Sequence, residues 1–171
     1  MLHPHRRRTL ESAFRAGSST ALAKAWLSAL RAGQAPESVP PEPLYDDWAE
    51  LLASGLAEIR SYREGHVYIA GYLPQKDVYK VGQTALPVAL RMRSLRTAGV
   101  LAPLIELRSH FVSDRFRVEA LAHRALKHHR VEREFYHAPY SVLESAVDGA
   151  AAADERIWST ARLQALLPTE V

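Results

Sequence analysis

The chain has 171 residues, of which 47% are apolar and none is cysteine, and its net charge at neutral pH is +3. That length suits one domain of ordinary size or a small domain with an extension, with enough apolar residues for a real core. The missing cysteine excludes disulfides, thiolate nucleophiles and cysteine-bearing zinc sites and fits a reducing cytosol, and no apolar run approaches the ~18 residues of a membrane span, so a cytoplasmic location without a membrane partner is expected.

Met1 to Arg8 is basic, but Glu11 and Arg15 leave no uninterrupted apolar run after it, which makes a poor secretory signal. An Arg- and Ala-rich amphipathic start is also the composition of an organelle transit peptide. Residues 8 to 32 place Leu10, Phe14, Leu22, Trp26, Leu27 and Leu30 near helical spacing. Gly17-Ser18-Ser19 breaks that run, Ser19 or Thr20 is placed to cap a second helix, and Gly33 to end it. Pro36, Pro40, Pro41 and Pro43 make residues 33 to 44 an extended linker. Asp46 and Asp47 open a third helix with Trp48, Leu51, Leu52, Leu56 and Ile59 on one side.

The texture changes at Gly65. His66 to Tyr72 is rich in β-branched and aromatic residues and reads as a strand. Residues 73 to 77 read as a turn and Val78 to Val81 as the hairpin partner. Pro87 suits the first turn of a helix that Ala89, Leu90, Met92 and Leu95 keep amphipathic up to Gly99. Leu104 to Val112 is a third strand. Ser113 or Asp114 caps a helix reaching about His129, with Phe116, Ala120, Leu121 and Leu126 turned inward. Helices are expected again at Val142 to Ala152 and Ile157 to Leu167. The expected fold is α+β: a small three-stranded sheet flanked by helices, with a helical N-terminal extension. The expected divisions are residues 1–63, 64–153 and a helical tail at 154–171.

Charge is unevenly spread. From Ala85 to Arg133 ten Arg or Lys face four Asp or Glu, so this stretch carries +6 and the remainder −3. A basic block of this kind is the footprint of a phosphate-binding surface, although a charge cluster is also the ordinary dress of a solvated helix face.

His66-Val67-Tyr68 is followed by Tyr79-Lys80-Val81-Gly82-Gln83-Thr84, then Arg91-Met92-Arg93-Ser94-Leu95, then a strand, Val118-Glu119-Ala120-Leu121-Ala122-His123 and Glu134-Phe135-Tyr136. This order resembles the GIY-YIG nuclease superfamily, and most closely its branch named after a phage T-five open reading frame, often described as DNA-binding. Val67-Tyr68 resembles the end of the first family tripeptide and Val81-Gly82 the end of the second. Lys80 stands where the second tripeptide has its tyrosine, a basic choice similar to that of this branch, and Tyr79 sits one residue early, on the opposite side of a strand. Arg91 resembles the family arginine and Glu119 the metal-binding glutamate, while the Tyr or His that some members place four residues after the arginine is Leu95 here. The resemblance implies a Mg²⁺- or Mn²⁺-dependent endonuclease acting on DNA phosphodiester bonds in residues 64–153, with Tyr68, Lys80, Arg91, Glu119 and His123 as catalytic residues and Glu119 on the metal.

The same residues make chemical sense without the family. Phosphodiester hydrolysis needs a cation on the transferring phosphate, a base for water and stabilisation of developing charge. Glu119 is a hard oxygen ligand for Mg²⁺ or Mn²⁺, and His123 lies one helical turn further along the same face. Arg91 is suited to fork onto phosphate oxygens. Tyr68 would serve as base or relay if a neighbouring Lys80 or Arg91 lowered its pKa well below the ~10 of a free phenol. Arg93, Arg96, Arg124, Lys127 and Arg130 are expected to contact DNA phosphates without reading sequence. Each residue also has a structural reading: a strand tyrosine packs, an i, i+4 Glu–His pair supports a helix, and Glu134-Phe135-Tyr136 anchors the chain to the core. Two alternatives to the nuclease stand beside it. One is a DNA-binding module of the same fold that does not cut; the other is a toxin- or restriction-like factor regulated by a protein partner bound through residues 1–60.

Overall fold

The computed structural model describes residues 2–34, 45–72, 76–96, 103–164 and 166. In chain order the elements are α1 (Pro4–Arg15), α2 (Ser19–Arg31), α3 (Tyr45–Arg63), β1 (Gly65–Tyr72), β2 (Val78–Thr84), α4 (Val88–Ser94), β3 (Leu104–Val112), α5 (Arg115–Ala125), β4 (Arg130–Glu132), β5 (Phe135–His137), α6 (Tyr140–Trp158) and α7 (Ala161–Gln164). The architecture is α+β, with a helical N-terminal region. Most of the proline-rich stretch at 33–44, turn residues 73–75 and the approach to Gly99 lie outside the described residues. No described helix is long and apolar enough to cross a membrane.

The chain divides into two compact units, Met1–Tyr62 with Ile157–Val171, and Arg63–Arg156. The first is helical. Leu10, Leu22, Trp26, Leu27, Trp48, Leu52, Leu56, Ile59, Trp158 and Leu163 form its core, with Phe14, Leu30 and Leu51 packed against it. Helix α2 is capped by the Ser18 hydroxyl, which accepts from the Ala21 amide at 3.4 Å, one residue before the caps expected. Gly55 of α3 is where this unit tolerates no side chain, since a Cβ there would sit 2.1 Å from the Ser19 carbonyl oxygen.

The second unit is built on a five-stranded antiparallel sheet in the order β3-β1-β2-β5-β4, not the three-stranded sheet expected. The additional strands form a hairpin whose inner member pairs Tyr136 with Tyr79 and Phe135 with Lys80. Three-residue strands are too short to show alternation. Their turn uses Arg133 at φ 49°, a left-handed position where glycine or asparagine would have marked a turn.

Alternation gives the sheet two apolar faces. Val67, Ile69 and Val81 pack with Val118, Ala122 and Leu126 of the α5 region and with Leu143 and Val147 of α6. Tyr68 and Ala70 pack instead with Val88 and Met92 of α4 and with Leu104. Both helices are rotated from expectation. On α4, Val88 and Met92 turn inward while Ala89 and Leu90 are exposed. On α5 the inward residues are Arg115, Val118 and Ala122, and Ala120 is exposed. Arg115 accounts for the second rotation: its guanidinium donates to the Gln83 Oε1 and to the Glu64 carbonyl oxygen, each at 2.8 Å, which seats the first turn.

The corner between β3 and α5 is held by two buried carboxylates. Asp114 caps α5 through the Arg117 amide at 3.0 Å and pairs with the Arg63 Nε at 2.9 Å. Asp154 of α6 accepts from the Ser113 and Asp114 amides, both at 3.1 Å. Loss of a cap costs about 1 kcal/mol, and breaking a buried pair costs more because it strands a charge. We therefore expect Asp114→Ala to lose about 2–4 kcal/mol in urea denaturation and Asp114→Asn, which keeps an acceptor, to lose less. A loss below about 0.5 kcal/mol for the alanine variant, the range of ordinary surface changes, would refute this account of the corner.

Candidate active site

Tyr68 is the anchor. It sits on the interior strand β1 directly opposite Gly82 of β2 and Ser109 of β3, and it is completely buried. Its ring lies over the bare backbone of Gly82. A Cβ at that position would meet the Tyr68 hydroxyl oxygen at 2.7 Å and the ring Cζ at 2.9 Å, so glycine is a steric requirement here.

Helix α4 covers this face and brings Arg91 to the phenol. Neither the Tyr68 hydroxyl nor the Arg91 Nε completes a hydrogen bond among the described residues, and both atoms are buried. Burial pushes the Tyr68 phenol above its ordinary value; Arg91 opposes this, first through a hydrogen-bonding approach that stops short of full geometry and then through its charge, and Glu119 reinforces it. The condition under which Tyr68 would serve as base or relay, a phenol lowered toward neutrality, is therefore not met. The neighbouring arginine acts in the expected direction, but desolvation outweighs it.

Lys80 stands opposite Ala70 on the same face and is 6% exposed. Its ammonium pairs with the half-exposed Glu134 carboxylate and lies 5.5 Å from the centre of the Phe135 ring. Burial, then the charge of Arg91, hold its pKa below the usual lysine value, while Glu119 acts the other way. Arg91 and Glu119 thus both act electrostatically on Tyr68 and on Lys80.

Glu119 reaches them from α5, whose neighbouring Val118 belongs to the other core. The His123 Nε2 lies 3.6 Å from a Glu119 oxygen, and both side chains are about one-fifth exposed. On its other side the His123 Nδ1 meets the hydroxyl of buried Tyr136, which also accepts from Arg130 at 3.2 Å. His123 is joined to the cluster through Glu119 and does not figure among the groups acting on Tyr68 or Lys80.

Of the cations expected on the surface, Arg93, Arg96, Arg124 and Lys127 are exposed. Arg130 is exposed as a residue, yet its guanidinium lies over the Tyr136 ring at 5.8 Å. Tyr79 is not part of the cluster: it faces the opposite side and meets Tyr140 edge-on at 5.8 Å. Two contacts had no signal in the sequence beyond the motif Glu134-Phe135-Tyr136, namely Glu134 on Lys80 and Tyr136 on His123. They join residues 54 and 13 positions apart, beyond the reach of any periodicity.

Chemically, the cluster offers a guanidinium, a buried ammonium, a neutral phenol and a carboxylate around one spot, a set suited to an anion. Among the described residues no group of three or more His, Asp or Glu is placed to hold a metal ion. Glu119 alone supplies a hard oxygen donor, so a Mg²⁺ or Mn²⁺ ion there would have to take most of its shell from water and substrate oxygens.

In comparison with known proteins, the family model described as T5orf172 domain matches residues 65–151. No curated protein and no solved structure matches the chain.

The unpartnered Tyr68 hydroxyl has a measurable consequence. Tyr68→Phe removes a buried polar group whose contact with Arg91 falls short of a full hydrogen bond, so stability is expected to hold or rise by about 1 kcal/mol near neutral pH. The folded phenol keeps its proton above the pH at which the unfolded chain releases it. Tyr68 therefore leaves stability independent of pH below about pH 10 and lowers it as pH rises beyond, where the unfolded chain releases the proton and the folded chain keeps it. Denaturation curves taken from neutral to strongly alkaline pH should fall less for Tyr68→Phe than for the wild type. A variant that is destabilised at neutral pH by more than about 1 kcal/mol would mean that the hydroxyl does have a structural partner.

Proposed function

We propose, from the premise that this chain belongs to the T5orf172 domain family, that its second unit is a GIY-YIG-like endonuclease that hydrolyses phosphodiester bonds in DNA. The observation that carries this reading is the pair of buried, unpartnered polar atoms, the Tyr68 hydroxyl and the Arg91 Nε, beside a buried Lys80. Buried polar groups are nearly always satisfied, and a phosphate oxygen is the ligand that would satisfy both.

In this reading Arg91 and Lys80 bind the non-bridging oxygens of the scissile phosphate and stabilise the charge that grows there in the transition state. They do so from a desolvated site, where such interactions are stronger than in water. Tyr68 acts as a neutral hydrogen-bond donor that orients the phosphate or an attacking water; the arrival of substrate, not the free protein, would complete its bonding. Glu119, backed by His123, would hold Mg²⁺ or Mn²⁺, which when bound supplies Lewis-acid polarisation of a phosphoryl oxygen. Tyr136 fixes the His123 ring from behind. Arg93, Arg96, Arg124, Lys127 and Arg130 would bind flanking phosphates without reading sequence.

A second reading, a DNA-binding module that does not cut, is favoured by the lack, among the described residues, of any group of three or more His, Asp or Glu placed to hold a metal, and by the upward shift of the Tyr68 phenol. Nicking of supercoiled plasmid with Mg²⁺ or Mn²⁺ separates the two. We expect the wild type to nick and Glu119→Gln to lose at least about a hundredfold in rate, the scale of one lost charge-stabilising group. Its DNA affinity should persist or rise, because a negative charge has left a basic site. Absence of cutting on duplex, nicked and single-stranded DNA would establish the second reading. Equal cutting by Glu119→Gln would place the metal elsewhere.

A further inference from the structure

We propose that Arg130 and Tyr136 are positioning residues that decide which nitrogen of the His123 ring carries its proton. Donors run one way, from Arg130 to Tyr136 to His123 to Glu119. The neutral imidazole is thereby protonated on Nε2, and His123 orients the Glu119 carboxylate instead of acting as a base or a metal ligand. What this does for catalysis rests on the reading of the second unit as a nuclease; the proton arrangement itself does not.

The fold sets the four side chains in line. Glu119 and His123 lie one turn apart on α5, each about one-fifth exposed. Tyr136 is the middle residue of β5 and is completely buried. Arg130, the first residue of β4, is its cross-strand partner. The Arg130 Nη2 lies 3.2 Å from the Tyr136 hydroxyl, and the guanidinium sits over the phenol ring, 5.8 Å from its centre. The His123 ring stacks on the same phenol, with centroids 5.7 Å apart and planes at 26°, and its Nδ1 is in hydrogen-bond contact with the hydroxyl. Its Nε2 is left facing a Glu119 oxygen at 3.6 Å.

Direction follows from what each group is able to give. A guanidinium only donates, so the Tyr136 oxygen accepts from Arg130. The phenol has one proton of its own, and among the described residues the acceptor in contact with it is the His123 Nδ1. An accepting Nδ1 carries no proton, which puts the proton of the neutral ring on Nε2. There it points at a carboxylate, which when ionised only accepts. The other arrangements each strand a group. With the proton on Nδ1, the buried hydroxyl has nowhere to donate, and the Nε2 lone pair confronts the Glu119 oxygen. With both nitrogens protonated, the phenol receives from two cations and its own proton is again without an acceptor. Native folds avoid buried polar groups left in that state.

For the site this gives His123 a narrow task. A ring protonated on Nε2 has no lone pair there to take a proton from water or to bind a cation. It holds the carboxylate in place, as the outer-shell partners of ligating groups do. The 3.6 Å separation is longer than a hydrogen bond, and such contacts are commonly long in a site without substrate. Arg130 acts on Glu119 only through Tyr136 and His123, and its remaining donors stay available to phosphate.

The test reads the ring directly. The full chain, metal-free and carrying isotope-labelled histidine, is studied by long-range proton–nitrogen NMR at about pH 8, above the ordinary histidine range. His123, identified by its absence in His123→Gln, should show a protonated Nε2 and a bare Nδ1. An exchange-protected hydroxyl proton should correlate with that Nδ1 and vanish in Tyr136→Phe. Arg130→Ala should put a measurable share of proton on Nδ1, and Arg130→Lys, another pure donor, should restore the wild-type pattern. A wild-type ring protonated on Nδ1, alone or together with Nε2, would overturn the chain. An Arg130→Ala ring identical to that of the wild type would overturn the part given to Arg130. In plasmid nicking with Mg²⁺, Tyr136→Phe and His123→Ala should each lose about tenfold or more, the scale of a lost outer-shell partner. His123→Gln, whose amide both accepts and donates, should recover most of that loss. Equal loss in His123→Gln and His123→Ala would make the ring a base or a ligand and overturn its positioning role. A wild type that shows the Nε2 pattern and cuts no DNA would remove the nuclease reading and support the proton chain alone.

Discussion

A phenol laid over a glycine organises the candidate site. Tyr68 and Gly82 are directly paired across β1 and β2, and the absence of a side chain at Gly82 lets the ring lie down against the sheet rather than stand away from it. Helix α4 can then pack close, with Val88 and Met92 against the ring and Arg91 carried to the hydroxyl. The same pairing fixes the opposite face of the sheet. Side chains along a strand alternate between the two faces, so Lys80 joins Tyr68 while Tyr79 and Val81 are committed to the opposite core. The basic residue at position 80 and the displaced tyrosine before it are thus one fact about register.

Burial then sets the chemistry. A desolvated site strengthens every interaction made within it but disfavours any charge that lacks a partner. Tyr68 responds by holding its proton more tightly. Lys80 responds by losing affinity for its own, even with Glu134 paired to it. A cluster of this kind is under-satisfied in the free protein: one carboxylate partner is half exposed, and two polar atoms have no bond. An incoming dianionic or monoanionic oxygen group changes that balance, which is the sense in which the site is prepared for an anion rather than for an apolar ligand.

Much of this was legible in the sequence. Strand β1 is dense in β-branched and aromatic residues, the Pro87 helix start and the Asp114 cap have local signatures, and the order of motifs in the resemblance picks out Tyr68, Lys80, Arg91 and Glu119 as a group. The features that escaped are non-local or too short. The β4–β5 hairpin has three-residue strands and an arginine in its left-handed turn position. Small residues mislead about helix faces: Ala120 and Ala122 are equally apolar, and the seat of Arg115 on Gln83 and Glu64 decides between them. Desolvation was invisible as well. A sequence shows that a lysine and an arginine are near a tyrosine in a family pattern, but the sign of the phenol's shift depends on how deeply the fold buries it.

The basic block illustrates the same limit from the surface side. Its ten cations suggest a broad phosphate-binding stripe, yet the fold uses several of them internally. Arg108 is forked onto Asp148 with both bonds at 2.7 Å and reaches Glu144 at 3.0 Å, while His110 meets the same Asp148. Arg115 is buried in the sheet–helix corner, and Arg117 faces Asp154 at 3.7 Å. The cations left at the surface are concentrated at the ends of α4 and α5, where Arg93, Arg96, Arg124 and Lys127 are exposed. These two helix ends continue the elements that carry Arg91 and Glu119. The charge that matters to a polyanion is therefore smaller than the sequence total, but it is carried by the same two helices that carry Arg91 and Glu119.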